Sequence, residues 1–271
     1  MNEIQKVSLE ILKTVTDICE SQGFRYYLAY GTLIGAIRHK GYIPWDDDVD
    51  ILMPRPDYEK LLRYLGSRKE EIYPLAVFNR NTNKKYFYGI TRICDMRYEI
   101  DKDNERNCGM GIFIDVYPYD GLGDDESDAL SRLTESSNFM KDVVLATRQR
   151  LGVSTDMNWK GKIVYVVKWC IHHLLGPNYY FNKQKKLFEG LPAFDDSRYV
   201  APLSWYFTKP EKVLFVRDIF MNPVKMTFEK YEFYVPGQYD KMLRQEYVDY
   251  MQLPPENKRV YHHQYKAYKK D

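Results

Sequence analysis

Apolar residues recur at helical spacing from the start of the chain. Ile4, Val7, Leu9, Ile11, Leu12, Val15 and Ile18 predict an amphipathic opening helix, which Gly23 ends. Arg25 to Tyr30 then reads as a strand, Gly31-Thr32 as a turn into a short helix through Ile37, and Gly41 to Asp47 as a loop containing Pro44. The next strand is predicted from Asp48 to Met53. Pro54 and Pro56 stop it, and Tyr58, Leu61, Leu62 and Leu65 place a helix over Asp57 to Leu65. Further strands are predicted over Leu75 to Asn79, Tyr86 to Ile93, Tyr98 to Asp101 and Gly111 to Tyr117. The expected class is therefore α+β, a mixed sheet flanked by helices. Asp124 to Arg150 is mostly polar with spaced apolar residues and reads as a helix leaving the sheet. This divides the chain into a core over 1–123 and a largely helical accessory and C-terminal region over 124–271, packed with the core or standing apart. The basic, tyrosine-rich tail from Tyr261 to Asp271 is expected to be poorly ordered.

Composition narrows this picture. Lys and Arg number 40 against 38 Asp and Glu, a net charge of +2, so nothing demands a nucleic acid as partner. The first 22 residues carry Glu3, Lys6, Glu10, Lys13, Asp17 and Glu20 among the apolar ones, which is no signal-peptide core, and a cytoplasmic protein is expected. No uncharged apolar window is long enough to span a membrane. Cys19, Cys94, Cys108 and Cys170 lie far apart with no Cys-x-x-Cys pair, which fits buried, reduced thiols better than zinc or disulfides. The 25 tyrosines and an aromatic content of 15% suggest amphipathic surface that meets a substrate, partner or interface.

The chemistry concentrates between Gly31 and Asp50. Asp46, Asp47, Asp48 and Asp50 crowd four carboxylates into five positions, which a folded chain tolerates mainly beside cations. In a strand Asp48 and Asp50 share one face while Val49 and Ile51 point to the core. Asp46 and Asp47 are either solvated loop charges or part of the site. A second aspartate, Asp115, interrupts the apolar run Gly111-Ile112-Phe113-Ile114-Asp115-Val116-Tyr117. If the two strands are neighbours, Asp48, Asp50 and Asp115 form a cage for two magnesium ions about 4 Å apart, and manganese is an alternative. Gly31 and Thr32 offer backbone N–H groups and a hydroxyl to a phosphate, and Arg38 and His39 offer charge to a donor phosphate or leaving group. An EF-hand over Asp46 to Asp57 is excluded, because Ile51 stands where glycine is needed and Pro54 and Pro56 lie inside the loop.

At these residues the chain resembles the LicD family of phosphotransferases, the group that includes fukutin and fukutin-related protein within the nucleotidyltransferase superfamily. The Gly-Thr-Leu-x-Gly turn, the Arg-His pair and the Pro-Trp-Asp-Asp-Asp-x-Asp run all lie between Gly31 and Asp50. Gly111 to Gly121 resembles the family's next block, with Asp115 where the superfamily carries its third carboxylate. A third block runs from Val235-Pro236-Gly237 through Tyr247-Val248-Asp249 to Arg259 and His263. It departs from the family at Val248, where glycine is expected, which weakens any role for Asp249.

The resemblance implies a nucleotidyltransferase-like fold of the DNA polymerase beta type. It also implies magnesium-dependent transfer of phosphocholine, or a similar phospho-alcohol, from CDP-choline or another CDP-linked donor. The acceptor would be a sugar hydroxyl of a lipid-linked oligosaccharide, a precursor of a surface glycan such as teichoic acid or lipopolysaccharide. Asp48 and Asp50 would hold the metals, and Asp115 would hold the second ion or help deprotonate the sugar. Glu229, Arg259, His262 and His263 become substrate-binding candidates. Two alternatives remain at this stage: a nucleotidyltransferase that takes CTP or ATP and releases diphosphate, and a catalytically silent scaffold in glycan assembly. On a helical projection of 159–176, Gly161, Tyr165, Lys168 and His172 share a narrow face and the rest is largely apolar. That segment is either a helix buried between two lobes or one lying in a bilayer interface, which would hold the protein at the inner face of the plasma membrane.

Overall fold

Asn2 caps the first helix: its side chain accepts from the Gln5 amide at 2.8 Å and the Gln5 side chain accepts from the Asn2 amide at 2.9 Å. The computed structural model describes residues 1–102, 104–105, 107–151, 158–259 and 265–270. Helix α1 (Glu3–Gln22) stops at Gly23, whose φ of 69° suits glycine. Strand β1 (Tyr27–Leu28) is shorter than the predicted run, because Tyr30, at φ 47°, already turns the chain into helix α2 (Tyr30–Ile34). A π-helical turn, Gly35–His39, extends α2. Strand β2 (Asp50–Pro54) leads directly into α3 (Arg55–Ser67), with Pro56 in the first turn, where a missing N–H costs nothing.

Strands β3 (Leu75–Phe78), β4 (Thr91–Asp95), β5 (Tyr98–Lys102) and β6 (Ile112–Gly121) follow. The strand expected over Tyr86 to Ile93 begins only at Thr91. The Tyr86 hydroxyl donates to the Ile90 carbonyl at 3.0 Å, so the chain folds on itself there instead of extending. Helices α4 (Glu126–Thr147), α5 (Trp159–Leu175) and α6 (Pro177–Leu187) come next. The short strands β7 (Tyr199–Ala201) and β8 (Phe215–Val216), the hairpin β9 (Val224–Phe228) and β10 (Tyr231–Val235), α7 (Tyr239–Tyr247) and β11 (Tyr265–Lys269) complete the order. The class is α+β with a mixed sheet.

The main sheet runs β1-β2-β6-β4-β3, and β7 and β8 continue it from the far end of β6. Among the described residues, its β2–β6 pair is parallel and its other pairs are antiparallel. Both strands are buried along their whole length, as their apolar runs require. Helices α1 and α3 pack on the sheet. Instead of leaving it, α4 lies against β7, where the Ser136 hydroxyl donates to the Leu203 carbonyl at 2.7 Å. At the end of β6, Asp120 grips Arg55 through two hydrogen bonds of 2.7 and 2.9 Å, which ties the family-like block to α3.

Three expectations change. The tail is ordered where described: β11 pairs with β5, and Tyr265 stacks on Phe113 with centroids 5.6 Å apart. Of the four cysteines, all free, only Cys19 and Cys94 are buried, whereas Cys170 is exposed on α5. Nor is α5 buried between lobes. Trp159 is 67% exposed and Leu174 87%, because the helix turns its Tyr165 and His172 side toward α4 and α6 and leaves its apolar side outside.

At the end of α7, Val248 takes φ 68° and ψ −76°, a conformation that a β-branched residue adopts only under strain. Glycine relieves that strain. Val248→Gly is expected to stabilise the fold by about 1 kcal/mol and raise the melting temperature by roughly 2–4 °C, read by thermal unfolding. An unchanged or lower midpoint would show that the loop absorbs the strain elsewhere.

Candidate functional site

The parallel pairing of β2 with β6 sets Asp50 directly beside Asp115. On the other side of β6, the antiparallel register sets Arg92 of β4 beside the same Asp115. Arg92 Nε donates to Asp115 Oδ1 at 2.7 Å. Its guanidinium is held between the rings of Tyr88 and Phe113, at 3.9 and 4.1 Å from their centroids. The Asp50 amide donates to Thr32 Oγ1 at 2.9 Å, so Thr32 anchors the first residue of β2. Asp48 lies in the loop before β2, not in the strand, because the ladder only begins where the Asp115 amide donates to the Val49 carbonyl at 2.8 Å. Asp48 therefore does not share a strand face with Asp50.

Asp48, Asp50, Asp115 and Arg92 line one cavity of about 630 Å³. Its remaining wall is strongly aromatic and includes Tyr30, Tyr88, Tyr117, Trp205 and Tyr247. Tyr30 packs edge-on to Tyr117, Tyr117 edge-on to Trp205, and Trp205 stacks on Tyr88 at 6.2 Å. Burial, then the charges of Asp48 and Asp115, hold the Asp50 carboxyl well above the usual carboxylate range. The cavity wall holds Asp48, Asp50, Asp115 and Glu105 against Lys85, Arg92 and Arg148, and Arg92 is the cation hydrogen-bonded to Asp115. Among the described residues, no three Asp, Glu, His or Cys side chains converge as a ready-made metal cluster. The hard oxygen donors nonetheless fit magnesium, which takes one or two carboxylates and completes its shell with water and substrate phosphate.

The other described candidates, Gly31, Thr32, Arg38, His39, Glu229 and Arg259, do not line this cavity. Gly31 makes room for Asp46: a Cβ there would collide with the Asp46 carboxylate. Arg38 Nη1 donates to the Tyr250 carbonyl at 2.6 Å, and His39 packs edge-on to Trp45. Arg259 lies over the same Trp45 ring at 5.4 Å, and its Nε donates to the Pro254 carbonyl at 2.8 Å. These residues tie the loop before the aspartates to the C-terminal block. Glu229 accepts from the Tyr42 amide at 3.0 Å and fills the space that Gly41 leaves open, clamping the same loop from the β9–β10 turn. Asp249 accepts from the amides of Met251 and Gln252, both at 3.2 Å, as a turn residue does. His262 and His263 lie outside the described residues.

Sequence reasoning missed Arg92, although a lone arginine inside Ile90-Thr91-Arg92-Ile93-Cys94 carries the same signal as Asp115 in its own strand. It also missed Glu246. Burial pushes the Glu246 carboxyl up to about 8, and its Oε2 has no hydrogen-bond partner among the described residues. The fold favours the protonated form, so this contribution to stability is complete below the ordinary glutamate range and is lost as pH rises through about 8. Glu246→Gln is expected to melt with wild type at pH 5 and above it at pH 9. Equal melting temperatures at both would mean that the carboxyl is not held neutral.

Buried carboxylates on neighbouring strands of a mixed sheet can hold a cation and through it a phosphate, and the aromatic cavity they open to offers ring faces to an apolar or cationic group. The chain belongs to the LicD/FKTN/FKRP family, whose nucleotidyltransferase-domain model matches residues 23–157. The lipopolysaccharide cholinephosphotransferase LicD of Haemophilus influenzae is 29% identical over 270 residues, covering 99% of this chain and 97% of that protein. The mouse and human ribitol 5-phosphate transferases FKRP are each 48% identical over 42 residues, which is 16% of this chain and 8% of theirs.

Proposed function

We propose that this protein transfers phosphocholine, or a closely similar phospho-alcohol, from a CDP-linked donor to a sugar hydroxyl of a cell-surface glycan precursor. Its relatives are named as a lipopolysaccharide cholinephosphotransferase and as ribitol 5-phosphate transferases, both of which move a phospho-alcohol. Family membership favours the nucleotidyltransferase-like fold for the core, and end-to-end similarity to a cholinephosphotransferase favours choline over ribitol. The observation that carries the reading is the Asp50–Asp115 register pair opening onto an aromatic cavity. Carboxylates suit a diphosphate held through magnesium, and aromatic faces suit a quaternary ammonium.

Asp50, with Asp48 or Asp115, would hold magnesium together with the donor diphosphate. Bound there, such an ion would supply charge neutralisation for the phosphates and for the departing CMP. Arg92 keeps Asp115 in place, and the rings of Trp205, Tyr88 and Tyr117 orient the alcohol. The acceptor hydroxyl oxygen attacks the phosphorus that bears the alcohol, its bond to the bridging oxygen breaks, and CMP leaves with that oxygen. The hydroxyl proton passes to a carboxylate of the cluster.

A donor screen tests this. With magnesium and a glycan acceptor, CDP-choline is expected to yield CMP faster than CDP-ethanolamine, CDP-glycerol or CDP-ribitol, and CTP is expected to yield no diphosphate. Faster turnover of an uncharged alcohol would overturn the choline assignment. Diphosphate from CTP would overturn alcohol transfer itself.

A further inference from the structure

Helix α5 presents its chemistry the wrong way round for a water-facing helix. Tyr165, Trp169, His172 and His173 turn inward, where His172 Nε2 meets Asp142 of α4 at 3.0 Å and its ring stacks on Tyr180 of α6. Trp159, Ile163, Val167, Ile171 and Leu174 follow at three- and four-residue spacing and are all exposed. On the projection, Lys162 and Lys168 stand at the two borders of this stripe and Lys160 within it. From Trp159 to Phe188 the chain carries six lysines and no carboxylate. The apolar stripe and the one-sided charge together match an anionic lipid surface, into which the aliphatic side chains sink while lysine heads stay at the phosphates. No helix among the described residues is long and apolar enough to cross a membrane, so the contact is one of lying on the surface.

We propose that α5, with the lysines of α6, is a docking surface for an anionic membrane, inserting Trp159, Ile163, Val167, Ile171 and Leu174 at the headgroup level. The inward side of the same helix borders the cavity wall. His173 Nε2 lies 2.9 Å from the carbonyl oxygen of Arg148, a residue of the cavity wall, and the Arg148 guanidinium is 3.6 Å from Glu105, which accepts from the Tyr88 hydroxyl. Lipid bound at α5 is thus one hydrogen-bonded contact, His173 to Arg148, from the cavity wall. The proposal goes beyond the transfer reaction and does not depend on which group is transferred.

Vesicle flotation of the full chain decides it, with Val167→Glu/Leu174→Glu as the variant, since both positions are exposed and their loss leaves the core intact. Wild type is expected to float with vesicles that contain phosphatidylglycerol, and at least about tenfold less with pure phosphatidylcholine or with the variant. Circular dichroism checks that the variant is folded. Wild type left in the lipid-free fraction, or a folded variant that floats equally, overturns the proposal. Equal flotation on both lipids overturns its electrostatic half. If neither protein floats and wild type, but not the variant, elutes as a dimer, the face is an interface between two copies and the proposal fails.

Discussion

Replacing Asp50 with asparagine is expected to lower CMP release from CDP-choline at least about a thousandfold, because an amide keeps the shape but loses the charge that would hold magnesium and the diphosphate. The fold survives this change. The Asp50 amide still donates to Thr32, and burial beside Asp48 and Asp115 already holds the carboxyl above its usual range. The charged form therefore costs stability at neutral pH, and Asp50→Asn is expected to melt at or above the wild-type temperature. Activity and stability then move in opposite directions, which a merely structural aspartate would not produce. Undiminished CMP release would remove Asp50 from the site. A lower melting temperature would show that its ionised form supports the fold.

Arg92→Met is expected instead to destabilise the fold, by about 3–5 kcal/mol. Arg92 is 4% exposed and Asp115 8%, and the pair is joined at 2.7 Å. Removing the guanidinium leaves Asp115 buried beside Asp50 with no opposing charge from β4. Methionine fills the space between Tyr88 and Phe113, so the cost is one of charge more than of volume. Adding Asp115→Asn should restore a large part of the loss, because an uncharged amide needs no cation. Chemical unfolding of the two single variants and the double variant measures this coupling. Additive losses would mean that Arg92 acts through its ring contacts alone.

Much of the site was legible because its residues break local rules. Asp115 inside an apolar strand and four aspartates in five positions have no structural excuse, and both lead to the cavity or its edge. Arg38, His39, Glu229 and Arg259 were harder, since a charged residue near a glycine or proline turn looks the same whether it binds substrate or clamps a loop. Here the clamping partners come from up to 214 residues away, as in the Arg38 bond to the Gln252 carbonyl, and no local pattern encodes them. Val248 was legible as a departure from the family pattern the chain resembles, and its positive φ is one that suits glycine. The strand predicted from Tyr86 failed because alternating aromatics satisfy a strand pattern equally well when they pack sideways into a cavity wall.

By itself the sequence determined the α+β class and the amphipathic helices and singled out Asp48, Asp50 and Asp115, which line the cavity, because hydrophobic period and charge crowding are local properties of the chain. Only the tertiary structure decided which carboxylates become neighbours, since that depends on the parallel register of β2 with β6, strands more than sixty residues apart. It also decided that Arg92 rather than Arg38 faces them, and that the apolar side of α5 points outward. Both depend on which face each element buries, which the neighbouring elements impose and a single segment cannot specify.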